Sequence, residues 1–246
     1  MAVPRPATPR AATPRRRGDA RARSGLRPIG ALVLPLFLLA ACDTGHGNPL
    51  ASFEARCATL PTTRFDVVYV PVNYAEDRTQ SIDELTVRGG NTPATHATFG
   101  LTTARFGHET DIEIKLVEDA AGKRACGTAG VRVELSMQPM TVYVAREIER
   151  TPCARDATFA HELRHVAVFR EVLLEAARDL GTDLPEAMGT APRRAADRHE
   201  LERTFNAQLQ AYLSTFMAQW QREMKARQDA VDSPEEYERT ATACRP

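Results

Sequence analysis

The chain has 246 residues, a length that suits one or two domains, with 43% hydrophobic residues and a formal net charge of zero. Charge is unevenly spread, because residues 1–41 hold eight arginines and one acid while the remainder carries 24 basic and 31 acidic residues. A remainder with a net charge near −7 argues against nucleic acid as a partner, since phosphate binding needs a basic surface.

Residues 1–41 are predicted to be a basic leader followed by a signal peptide. Residues 1–28 are rich in arginine and proline and lack the apolar residues that a core needs. Residues 29–41 form an apolar run that is too short to span a bilayer and contains a proline, as the hydrophobic region of a signal peptide can.

The end of this run, Leu39 to Cys42, resembles the lipobox of bacterial lipoproteins. That resemblance implies cleavage before Cys42 and attachment of lipid to its sulfur. The lipid would anchor the protein to a membrane of the bacterial cell envelope, facing the periplasm or the exterior. An ordinary signal peptide and an uncleaved anchor are the alternatives.

The remaining cysteines indicate two disulfides, because an even count is typical of exported chains. They are Cys57, Cys126, Cys153 and Cys244. Of the three possible connectivities we favour Cys57 with Cys126 and Cys153 with Cys244. Free, buried cysteines are the alternative.

Residues 42–60 are interpreted as a tether, and residues 61–246 as a single domain whose first half is rich in strands. Alternating or β-branched runs predict strands, turn-forming segments separate them, and a short helix is expected in 77–85. The predicted strands lie in residues 64–72, 111–118, 131–137 and 141–146.

Two long amphipathic helices are predicted after Pro152. Apolar residues at helical spacing indicate one helix over 157–180, ended by Gly181, and a second over about 194–231. The expected fold class is therefore α+β, with a strand-rich N-terminal half followed by a helical hairpin.

The first of these helices carries His161, Glu162 and His165 as an HExxH pattern. Positions four apart lie on one face of a helix, so both imidazoles can bind one tetrahedral ion. We expect one Zn²⁺ per chain, with Glu162 as general base on a zinc-bound water. The alternative is a solvated helix face, completed by Arg164 and Arg170.

Residues 158–167, "TFAHELRHVA", resemble the extended signature of zincin metallopeptidases, although Arg164 occupies a position that is normally uncharged. Over most of the mature domain the chain resembles an uncharacterised family of bacterial exported proteins described as zinc-dependent proteases. The zincin resemblance implies that "MTVYVARE", residues 140–147, is the strand along the cleft, with an edge that pairs with an extended peptide.

The resemblance also implies a third zinc ligand from the second helix. Glu202 is preferred, on the condition that residues 181–193 run back along the first helix, and His199, Glu223 and Asp232 are in reserve. A strict antiparallel hairpin would instead place residues 208–214, which contain no acid, level with the histidines.

Two functions of different classes follow. The first is a membrane-anchored zinc hydrolase, preferably a peptidase acting on envelope proteins or peptides, and a peptidoglycan amide bond would suit the same chemistry. The second is a non-catalytic envelope lipoprotein that binds a partner and keeps a structural or vestigial histidine pair.

Overall fold

Two long antiparallel strands form the largest part of the sheet. The computed structural model describes residues 49–94 and 97–244. Strands β3 (Gly100–Glu118) and β4 (Ala125–Val144) pair along their whole length. The turn that joins them places Gly122 at φ +65°, a backbone conformation that favours glycine.

Three short strands share the other edge of β4. Strand β5 (Arg193–Ala195) pairs antiparallel with residues 125–127, whereas β1 (Arg64–Tyr69) and β2 (Ala75–Asp77) pair parallel with residues 130–135 and 141–143. Strand β4 is therefore the centre of a five-stranded mixed sheet.

This topology corrects the expectation for residues 140–147. Thr141, Val142 and Tyr143 pair with β2 on one side and with β3 on the other, so this segment has no free edge. Within the described residues, the outer edge of β3 pairs with no strand. Alternation along the chain identifies a strand. It does not show which strands pair with it, because those strands are distant in sequence.

In the described residues, five helices and a short 3-10 turn at Arg146–Ile148 complete the fold. They are α1 (Pro49–Ala58), α2 (Ile82–Arg88), α3 (Pro152–Met188), α4 (Arg198–Val231) and α5 (Pro234–Thr242). The predicted α+β class, with a strand-rich first half and long C-terminal helices, is confirmed. Among the described residues, no helix is both long and apolar enough to cross a membrane.

Helix α3 continues past Gly181, where the sequence pattern predicts its end. Leu180, Leu184 and Met188 extend the apolar stripe at four-residue spacing and are buried, with at most 4% of their surface exposed. Burying a large apolar side chain contributes about 1.5–3 kcal/mol, which outweighs the roughly 1 kcal/mol that glycine costs a helix. The helix ends at Gly189, with φ +72°.

The main core lies between α3, α4 and the sheet. Its fully buried side chains come from alternate positions of β4 and from the apolar stripes of the two helices. Representative members are Val133, Leu135, Val172, Leu180, Leu209 and Leu213. Packing of these stripes fixes how the two helices lie along each other.

The fold begins within the segment predicted to be a tether. Residues 49–58 form α1, which buries Phe53 and Cys57 beside Cys126. The tether prediction is corrected for these residues, because their buried side chains belong to the fold. The described residues do not include the predicted leader and signal peptide, Cys42 or residues 43–48.

Both favoured disulfides are present. One joins Cys57 to Cys126 and so attaches α1 to the start of β4. The other joins Cys153 to Cys244 and so attaches the segment after α5 to the first turn of α3. This second bridge holds α5 near the histidine-bearing part of α3.

Candidate metal centre and active site

His161 and His165 lie on one face of α3, as their spacing predicts. Their Nε2 atoms are 3.2 Å apart, and both residues are buried. The two rings meet edge to face, with centroids 5.0 Å apart. The helix therefore directs two imidazole nitrogens to one point beneath the surface.

Asp232, the residue that ends α4, completes the cluster. Its Oδ1 lies 3.1 Å from His161 Nε2 and 3.2 Å from His165 Nε2, and the side chain stays 40% exposed. Atoms bound at tetrahedral angles to a zinc ion, each about 2.0–2.1 Å from it, are about 3.3 Å apart. The three residues thus form a group that can hold a metal ion, open on the Asp232 side.

The other candidates for a third ligand lie elsewhere. Glu202 pairs with Arg198 at 2.7 Å near the start of α4, and Glu223 pairs with Arg227 at 2.8 Å. His199 is exposed in the first turn of α4. In the described part of the chain none of the three joins the cluster, so the preference for Glu202 is corrected in favour of Asp232.

The position of Asp232 follows from the length of α3. Because α3 runs to Met188 instead of residue 180, the connection between the helices lies later in the chain. Residues level with His165 consequently fall near the end of α4, where Gln228 Oε1 lies 2.5 Å from His165 Nδ1. Helix length, which the pattern underestimated, decides which acid meets the histidines.

The charges around the cluster favour a cation. Burial alone would raise the pKa of Asp232, but its contacts with His161 and His165 hold that pKa well below its usual range. Burial alone would lower the pKa of His165, yet Asp232, Gln228 and Glu162 raise it above its ordinary value. Both shifts reflect the attraction between the Asp232 carboxylate and a protonated His165 ring.

Glu162 lies beside the cluster and is almost fully buried, with 4% of its surface exposed. The Thr102 hydroxyl donates a hydrogen bond to Glu162 Oε2 at 2.8 Å. Burial raises the pKa of Glu162 above its ordinary value, although His165, Thr102 and His161 oppose the shift. A carboxylate with a raised pKa is a better proton acceptor at neutral pH, as a general base requires.

Gly100 is close to Glu162, and replacing it with Ala is expected to disturb this carboxylate. A Cβ at residue 100 would lie 2.6 Å from Glu162 Oε1 and 2.6 Å from Thr158 Cγ2. Overpacking of this kind costs about 1–3 kcal/mol, so the free energy of unfolding in urea should fall by that amount.

Gly107→Ala on the same strand is the control, because the nearest atom to its added Cβ is Ser136 Oγ at 3.8 Å. This variant should lose no stability. Equal losses in the two variants would contradict a specific close approach at Gly100.

A cleft of about 830 Å³ opens over the cluster. One wall is the start of β3, including Gly100, Leu101 and Thr102, and this is the strand whose outer edge is unpaired in the described structure. The lining also includes Tyr237 of α5, whose ring stacks on His161 with centroids 6.1 Å apart. The start of β3 and Glu162 therefore line the same cleft.

Sequence reasoning did not identify Gly100, Thr102, Gln228 or Tyr237 as parts of the site. Gly100 and Thr102 lie about 60 positions before the histidines and follow no recognised motif. Gln228, four residues before Asp232, lies on the same helical face and would have been found once Asp232 was chosen. Tyr237 belongs to α5, a helix that was not predicted.

In comparisons with protein-family models, with curated proteins and with solved structures, no match to the chain was found. The zincin resemblance therefore stays a prediction based on the motif.

Proposed function

We propose that the protein is a zinc-dependent peptidase held in the bacterial cell envelope by a lipid on Cys42. The observation that carries the proposal is the triangle of His161 Nε2, His165 Nε2 and Asp232 Oδ1, with sides of 3.1–3.2 Å, next to the buried Glu162. Two imidazoles and one carboxylate, with an open side, are typical ligands of catalytic zinc sites.

The residues of the cleft take separate roles in this proposal. When bound, zinc supplies a water of lowered pKa and polarises the carbonyl of the substrate. Glu162 would accept the proton from that water and pass it to the leaving amine. Thr102 orients the Glu162 carboxylate through the 2.8 Å hydrogen bond. Because its outer edge is unpaired in the described structure, the start of β3 is available to hydrogen-bond an extended peptide backbone.

Asp232 rather than Glu202 acts as the third ligand in this proposal. Its carboxylate is ionised, because the contacts with both histidines keep its pKa low. The 40% exposure of Asp232 leaves an approach for water and substrate on that side of the cluster.

Metal content tests the proposal first. The full chain would be produced in a bacterial host, purified in detergent without a polyhistidine tag and analysed for metals beside His161→Ala. We expect about one zinc per chain, lost in the variant, together with hydrolysis of fluorescein-labelled casein. A protein with intact disulfides that takes up no added zinc would refute the proposal and favour a non-catalytic envelope lipoprotein.

A further inference from the structure

The two histidines of the cluster have different partners at Nδ1. Gln228 Oε1 lies 2.5 Å from His165 Nδ1, and the amide nitrogen of Gln228 donates to the His165 carbonyl at 3.2 Å. This second bond directs the Gln228 oxygen, which only accepts, to the ring. The neutral His165 ring therefore carries its proton on Nδ1 and directs the Nε2 lone pair into the triangle, as a metal ligand does.

His161 has the opposite arrangement. Arg164 Nη2 lies 2.7 Å from His161 Nδ1. A guanidinium group can only donate hydrogen bonds, so Nδ1 must accept and the ring proton must lie on Nε2. That proton points to Asp232 Oδ1, 3.1 Å away, and occupies the atom with which His161 would bind an ion.

Arg164 also has a second anchor. Its Nη1 lies 2.5 Å from Glu236 Oε2 on α5, whereas its Nε is buried and has no hydrogen-bond partner among the described residues. A buried donor without an acceptor is unfavourable. Because the Glu236 contact uses Nη1 and the His161 contact uses Nη2, Arg164 can leave His161 and keep its ion pair with Glu236.

We propose that Arg164 sets the metal affinity of the cluster by competing with the ion for His161. In the metal-free protein Arg164 holds the His161 tautomer that cannot bind through Nε2. Binding of an ion through Nε2 would require the ring proton on Nδ1, where it would face the donor Nη2, so Arg164 would have to withdraw toward Glu236. This inference rests on the proposed metal site and makes Arg164 a positioning residue rather than a ligand.

Arg164→Gln tests the competition, because a glutamine there can offer an oxygen to Nδ1 as Gln228 does for His165. Zinc dissociation constants of the full-length proteins would be measured by competition with a chromophoric chelator. Since outer partners of metal ligands change affinity by about 10–100-fold, Arg164→Gln should bind zinc at least about 10-fold more tightly. Arg170→Gln removes the same charge from the exposed side of α3 and should leave the affinity unchanged.

The tautomer provides a readout that does not depend on activity. Proton–nitrogen NMR correlation of the metal-free protein, with the His161 signal identified by its loss in His161→Ala, should place the proton on Nε2 in the wild type. The proton should move to Nδ1 in Arg164→Gln.

Each other outcome has a defined meaning. An unchanged or weaker affinity in Arg164→Gln, an equal gain in Arg170→Gln, or a wild-type proton on Nδ1 would overturn the role of Arg164 while leaving the metal site in place. Failure of all the proteins to bind zinc would overturn the metal site, and the inference with it.

Discussion

Replacing Glu162 with Gln is expected to abolish peptide hydrolysis while leaving zinc binding intact. Glutamine keeps the size of the side chain and an oxygen for the Thr102 hydroxyl, which now donates to Glu162 Oε2 at 2.8 Å, but it cannot accept a proton. General-base catalysis contributes about 10²–10⁴-fold to a rate, so hydrolysis should fall at least 100-fold. Initial rates on fluorescein-labelled casein, with zinc content measured in the same preparations, would check this.

Glu171→Gln is the matched control for this variant. Glu171 is an exposed residue of the same helix, so its replacement changes the net charge equally without touching the cleft. Its rate should equal that of the wild type. Retained hydrolysis in Glu162→Gln would show that Glu162 is not the base, and lost zinc would show that its carboxylate supports the cluster instead.

Replacing Asp232 with Ala is expected to remove most of the metal affinity. This change deletes one of three ligand atoms and the negative charge that lies 3.1–3.2 Å from both imidazole nitrogens. Loss of an outer-shell partner lowers affinity by about 10–100-fold, and loss of a ligand should exceed about 100-fold. Competition with a chromophoric chelator gives the dissociation constants.

Glu202→Ala on the same helix separates the two third-ligand assignments. Glu202 pairs with Arg198 at 2.7 Å and is absent from the cluster, so its replacement should leave zinc affinity unchanged. The opposite result, with zinc lost in Glu202→Ala and kept in Asp232→Ala, would mean that α4 binds the metal in a different register from the one described.

Much of the α+β fold could be predicted because its elements are marked by local patterns. Strand alternation in residues 111–118 and 131–137 and the apolar stripes of α3 and α4 depend only on neighbouring residues. The ends of α3 could not be predicted in this way. Burial of Leu184 and Met188 against the core carries the helix through Gly181, and that burial is a tertiary contact.

The sequence by itself determined the three central residues of the candidate site. His161, Glu162 and His165 belong to one helix, and the four-residue spacing of the histidines brings their rings together wherever that helix lies. The tertiary structure alone decided which acid joins the histidines, which residues hold Glu162 and which strand lines the cleft. Asp232, Gly100 and Thr102 lie more than 55 positions from the histidines. Their approach depends on helix length and strand pairing, which no local pattern specifies.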